Sequence, residues 1–158
     1  MSPDAVNRSV REFAFLRAFG PLLQGLRRVH DREFAPLGVS VAQVHPLLLL
    51  HEHGPMRQRE LAARLDVEGP TVVRLLDQLE ALQLVVRRPD PDDQRAKVVH
   101  LTDAGRALAE RVLPVIASLG AALLADVTDA ELATCLRVFD RLAAAMAVVE
   151  RDTVAAAR

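Results

Sequence analysis

Apolar residues recur with a helical period over most of this chain and gather into strand-like runs at only two places. From Arg8 to about Val29, the positions Val10, Phe13, Ala14, Leu22, Leu26 and Val29 fall near one side of a helix. Gly20-Pro21 predicts a kink or break inside it, Pro36 and Gly38 close it, and residues 1–7 read as a loose terminus. Ser40 opens the next helix. Ser40-x-x-Gln43 has the form of a capping box, and Val39 and Val44 are spaced as a hydrophobic staple. That helix is apolar on most sides, hence central, and ends near Gly54-Pro55.

Two shorter amphipathic segments follow, residues 57–65 and 70–82, joined by a turn over 66–69. Leu61, Ala62 and Leu65 share a face of the first; Val72, Leu75, Leu76, Leu79 and Leu82 make the stripe of the second. Pro70 suits a first helical turn and Gly69 the cap before it. Residues 84–88 and 97–101 are apolar and β-branched, and the charged loop between them ends at Arg95. Thr102 caps a helix to about Ala125, which Pro114 is expected to kink and Gly120 to loosen. Thr128-x-x-Glu131 is a second capping box. It opens a last helix striped by Leu132, Leu136, Phe139, Leu142, Met146 and Val149. A helix pair, a tight turn and a hairpin in this order predict a winged helix-turn-helix. The fold class expected is mainly α with a small β-hairpin wing (α+β).

The outer face of the second segment holds Pro70, Thr71, Val73, Arg74, Asp77 and Gln78. It is small at its start and carries one long cation. That shape enters a major groove, where a guanidinium forks onto O6 and N7 of guanine. Taken alone it is weak evidence, since most amphipathic helices simply pack on a core. The hairpin favours DNA: Arg95 at its tip suits a minor groove, and Arg87 and Arg88 suit phosphates. The alternative is a solvated turn in which Asp92 or Asp93 pairs with Arg95.

The run from Arg87 to Gly105 resembles the wing signature of the MarR family of transcription regulators. Asp93-x-Arg95-Ala96 and Leu101-Thr102-x-x-Gly105 stand at the family's spacing. Upstream, Val41-x-Gln43, Glu60-Leu-Ala62 and Thr71-Val-x-Arg74-Leu-x-Asp77-x-Leu79-Glu80 match as well. The resemblance covers roughly residues 10 to 150. Two positions depart from it: Arg57 stands where Ser or Thr often caps the first helix of the motif, and Gln83 stands where Gly often precedes the wing. The resemblance implies a dimerisation helix over 1–38, a DNA-binding domain over 39–101 and dimerisation helices over 102–158. It implies a homodimer on a pseudo-palindromic double-stranded operator, acting mainly as a repressor. Release by a small ligand, often an aromatic acid, is implied where the dimerisation helices meet the DNA-binding lobe. Arg17, His30 and His45 are the candidates for its carboxylate. Arg57, Arg59, Arg87, Arg88 and Lys97 complete the expected DNA-binding set. No cofactor is expected.

Composition narrows this further. Aromatic content is 3% with no Trp or Tyr, against a single-strand binder built on base stacking. Net charge is −1, and residues 55–100 carry as many acids as cations, so any basic footprint comes from arrangement. No enzymatic constellation emerges. Cys135, the single cysteine, excludes an internal disulfide and reads as a buried inert thiol beside the last stripe. His45, His51 and His53 read as packed or solvent-edge residues, with a metal-responsive regulator as the alternative. A winged-helix interaction module without DNA is the other. No secretory signal or membrane-spanning run is seen, so the cytoplasm is expected, with no membrane partner.

Overall fold

The computed structural model describes residues 3–93 and 95–156. The chain forms two compact units, one reaching Ile116 and one starting at Ala117. The first contains α1 (Pro3–Phe34), a short 3-10 turn (Ala35–Leu37), α2 (Val41–His53), β1 (Met56–Arg57), α3 (Gln58–Arg64), α4 (Gly69–Ala81), β2 (Val85–Pro89) and β3 (Lys97–Leu101). It also holds most of α5 (Asp103–Leu123); the second unit holds α6 (Asp129–Ala156).

Helix α1 corrects two expectations. It begins at Pro3, so the anticipated loose terminus is helical wherever it is described. It also runs unbroken through Gly20 and Pro21. Pro21 lacks the N–H that would pair with the Arg17 carbonyl, but both residues are exposed, so water can take that carbonyl. Helix α5 likewise continues through Pro114 and Gly120. Gly38 adopts a left-handed φ of 75° and ends the turn after α1. The Ser40 box is present: the Ser40 N–H donates to Gln43 Oε1 at 2.9 Å. Asp31 of α1 accepts the Val41 N–H at 2.8 Å, closing a second free donor of α2.

The core gathers Phe34, Val44, Leu47 and Leu50 from the first two helices with Leu61, Val72, Leu76 and Leu79 from the helix-turn-helix. Val85, Val99, Leu108 and Val112 complete it. Leu75 and Leu65 are half-buried, whereas Leu82, expected in the stripe, is 45% exposed because the helix has ended by then. Gly69 is the first residue of α4 rather than its cap, which is Glu68.

Both motif helices end in the same way. After α3, Val67 N–H bonds the Ala62 carbonyl and Asp66 N–H the Ala63 carbonyl, with Asp66 at φ 52°. After α4, Leu84 N–H bonds the Leu79 carbonyl and Gln83 N–H the Glu80 carbonyl, with Gln83 at φ 57°. These are Schellman closures, normally built on glycine because only glycine takes that φ freely. The family's glycine before the wing is therefore a conformational requirement that Gln83 meets under strain.

The sheet is three-stranded and antiparallel, in order β1-β3-β2. Strand β1 corrects the expected two-stranded hairpin; Met56 pairs with Val99 and Arg57 with Val98. In the hairpin itself Val85 pairs with Leu101, Arg87 with Val99 and Pro89 with Lys97. Where β3 meets α5, Thr102 N–H bonds the Leu84 carbonyl at 3.1 Å. The Thr102 hydroxyl donates to the Gln83 carbonyl at 2.7 Å and accepts the Gly105 N–H at 3.0 Å. A Cβ on Gly105 would sit 1.9 Å from the Leu84 carbonyl oxygen, which explains the glycine of the Leu-Thr-x-x-Gly group.

In the second unit, Thr128 N–H donates to Glu131 Oε2 at 2.9 Å and Glu131 N–H to Thr128 Oγ1 at 3.3 Å, so the second capping box forms. The stripe of α6 is largely exposed, with Leu136 at 55% and Val149 at 64%. Cys135 is exposed too, contrary to its expected burial, because it lies beside that largely exposed stripe.

Two substitutions test the junction. Gly105→Ala should lower unfolding free energy by about 2–3 kcal/mol, the cost of overpacking against backbone. Gln83→Gly should raise it by up to about 1 kcal/mol, since relief of the left-handed strain exceeds the glycine entropy. Urea denaturation of both variants reads the two signs.

Candidate nucleic-acid interface

The outer face of α4 is open. Pro70, Thr71, Arg74, Asp77 and Gln78 are exposed, and Val73 is 38% exposed. Among the described residues, Arg74 has no ion-pair or side-chain hydrogen-bond partner. The same holds for Arg59 on α3, Arg88 on β2, Lys97 on β3 and Arg95 in the wing loop. At the wing tip, Asp93 accepts the backbone N–H of Arg95 at 3.0 Å. The anticipated pairing of aspartate with arginine is thus a backbone turn that leaves the guanidinium outside. Gln94 lies outside the described residues.

Arg57 and Arg87 depart from the expected phosphate role. The Arg57 Nε donates to Asp90 Oδ2 at 2.6 Å. Asp90 is buried at 5% exposure and also accepts the Asp92 N–H at 2.9 Å. Arg57, as the residue before α3, provides no side-chain cap; it ties the start of that helix to the base of the wing loop. Arg87 is half-buried and held by two carboxylates of α4. Its Nε donates to Glu80 Oε2 at 3.0 Å and its Nη2 to Asp77 Oδ1 at 2.6 Å. Arg64 pairs with Glu60 within α3. The unpaired cations of the motif are therefore those on its outward face.

Two cavities flank α2. One, of about 590 Å³, is lined by Leu26, Phe34 and Val44 with Gln24, Arg27, His30 and His45 as its polar groups. His30 Nδ1–H donates to the Leu26 carbonyl at 2.8 Å, which leaves Nε2 as the acceptor in the neutral ring. The other, of about 370 Å³, shares Arg27 and His45 and reaches Thr71, Arg74 and Gln78 of α4. Of the three candidates for a ligand carboxylate, His30 and His45 line the larger cavity and Arg17 does not. Its guanidinium lies over the Phe13 ring, 5.6 Å from the centroid. Arg27 stands there instead, three residues before His30 and one helical turn from it. That i, i+3 spacing is the signal that points to Arg27.

His51 Nδ1 is buried without a partner, and His53 Nε2 lies 3.8 Å from a Glu52 carboxylate oxygen. Among the described residues no three His, Cys, Asp or Glu side chains gather to hold a metal ion. No single helix is long and apolar enough to cross a membrane.

Residues 39–97 carry the pattern of the MarR family. The repressor MdtR of Bacillus subtilis is 30% identical over 117 residues, covering 74% of this chain and 76% of that one. The chain belongs to the MarR family of transcriptional regulators. The repressor NicR of Pseudomonas putida is 38% identical over 68 residues, 43% of each chain. The chain spans about half the length of two of the curated relatives it matches. A crystal structure of a mutant MarR from E. coli, complexed with operator DNA, superposes with a TM-score of 0.78 at 26% identity. It covers 84% of this chain and 95% of that one. The winged helix-turn-helix of a MarR regulator is thus the setting of α3, α4 and the wing.

The buried wing carboxylate makes stability depend on acid. The Asp90 carboxyl is held below the ordinary aspartate range, chiefly by the Arg57 guanidinium and then by the Asp92 N–H. A lowered folded value means the contribution is complete above the unfolded value and is lost as pH falls through the folded one. Asp90→Asn should therefore melt below the parent protein at neutral pH, and the gap should close as pH drops below about 4. Parallel thermal melts across pH measure it; a gap that stays constant would refute the assignment.

Proposed function

We propose that this MarR-family chain acts as a homodimer on double-stranded DNA, binding a pseudo-palindromic operator in the cytoplasm as a repressor. A small anionic effector, of which an aromatic carboxylate fits best, releases it. The observation that carries the DNA reading is the sorting of charge in a motif with no net basicity. Arg57, Arg64 and Arg87 are each paired with a carboxylate of the motif, whereas Arg59, Arg74, Arg88, Arg95 and Lys97 are free among the described residues. Pro70, Thr71, Val73 and Arg74 face base edges, Arg95 enters the minor groove, and Arg59, Arg88 and Lys97 serve phosphates. The E. coli relative solved with operator DNA and the repressors MdtR and NicR support this reading.

The dimer is supported by apolar surface. On α1, Val10, Phe13, Leu16, Leu22 and Leu23 are exposed, as are Leu136, Met146 and Val149 on α6. A second copy covers these faces, and a two-fold axis then sets two recognition helices one DNA turn apart. The effector is supported by the cavities beside α2. Their shared Arg27 and His45, with His30 in the larger one, are the partners of its carboxylate. The smaller cavity reaches Arg74, so effector and guanine draw on one guanidinium.

The test uses a duplex that the protein itself selects from a randomised pool. Arg74→Ala should relax the preference at one base pair by about 1–3 kcal/mol. Arg95→Ala should weaken all duplexes alike. Aromatic acids should lower the affinity of the parent protein. Weak salt dependence with every duplex would overturn the DNA reading; unchanged affinity across a broad panel of acids would overturn the effector half.

A further inference from the structure

We propose that Arg87 is a positioning residue: it clamps the recognition helix to the root of the wing, masks that helix's two acids and touches no DNA. Its effect on affinity rests on the DNA-binding reading above; the clamp itself does not.

Strand β2 lies at the sheet edge, so one row of its backbone N–H groups lacks a strand partner. The Glu80 carboxylate fills that gap, accepting the Arg87 N–H at 2.8 Å with Oε1. Its other oxygen takes the Arg87 Nε–H at 3.0 Å. One turn earlier on α4, Asp77 accepts the Arg87 Nη2–H at 2.6 Å. Asp77 and Glu80 are the only acids within α4. A single residue of the wing therefore engages every acid of the helix, through both main chain and side chain.

One cation against two carboxylates leaves this cluster negative, so it does not attract a phosphate. Without Arg87 the same helix would carry two bare carboxylates, one of them on the outward face beside Arg74. The clamp also fixes distance, because Arg87 sits opposite the buried Val99 in the middle of the hairpin. Helix and wing then approach DNA as one rigid piece. Arg88, the next residue, is exposed and without a partner among the described residues. Side chains alternate along a strand, so adjacent arginines take opposite tasks.

Affinity for the self-selected duplex is measured across salt. Arg88→Ala should flatten the dependence of log K on log salt by about 0.9, one phosphate contact. Arg87→Ala should keep the parent slope yet bind about tenfold more weakly at every salt, and adding Asp77→Asn should recover at least about threefold. Arg87→Lys, which keeps the charge and loses the fork, should likewise keep the slope and lose affinity, and it serves if the alanine variant does not fold. A slope flattened as in Arg88→Ala, with no recovery from Asp77→Asn, would make Arg87 a phosphate contact and overturn the proposal. A readout free of DNA is amide exchange: Glu80→Gln should speed exchange of the Arg87 N–H. Unchanged exchange overturns the clamp. Failure of the DNA-binding reading is a separate event, a parent protein that enriches no duplex.

Discussion

The close approach of α5 to the Leu84 carbonyl is the constraint on which the winged unit turns. That oxygen accepts the Thr102 N–H and lies where a Cβ on residue 105 would stand. Three segments meet there: the end of α4, the first wing strand and the start of α5. Gln83, just before, takes a left-handed conformation that costs a non-glycine residue about 1–2 kcal/mol. The Schellman hydrogen bonds and the Thr102 hydroxyl bond to the Gln83 carbonyl hold it in place. Because the wing departs from this junction, the direction of Arg88 and Arg95 relative to α4 is set here.

Charge is arranged on the same scaffold. A motif with balanced acids and cations has little long-range field, so its surface potential depends on which charges are cancelled locally. Within the motif, Asp90 neutralises Arg57, Glu60 neutralises Arg64, and Asp77 with Glu80 holds Arg87. The first and third of these bridges join different elements, helix start to wing loop and recognition helix to strand. The acids thus tie these elements together. The cations left over lie outward.

Much of this was legible in the sequence where one residue type has one physical use. The capping boxes at Ser40 and Thr128 formed because serine, threonine and the partner three residues on satisfy free helix donors locally. The stripes of α3 and α4 followed from period alone, apart from Leu82 beyond the helix end. What was hidden depends on tertiary contacts. Strand β1 has two residues, too few for alternation to show. Proline suggested a kink or break in α1 and a kink in α5, but both helices continue through it, where the lost hydrogen bond falls on exposed turns open to water. The roles of Arg57 and Arg87 were hidden because a sequence shows charges, not which acid from 33 or 7 residues away will reach them. Arg27 was legible at the cavity through its i, i+3 spacing to His30, which places both on one side of α1.

The length of α1 bears on the assembly. Its 32 residues extend about 48 Å at 1.5 Å per residue. Among the described residues, its C-terminal end is the part anchored in the core, through Phe34, with Val29 and His30 half-buried nearby. The preceding turns expose Phe13, Leu16, Leu22 and Leu23. An isolated helix gains little stability from propensity, and most of it in proteins comes from packing an apolar face. Gly20 and Pro21 lower that intrinsic stability further at the middle of the helix. A helix so composed persists in water only with cover along the exposed stretch. Burying four large side chains at about 1.5–3 kcal/mol each outweighs the cost of the proline and glycine. Cover of the exposed face is then a condition for the unbroken first helix.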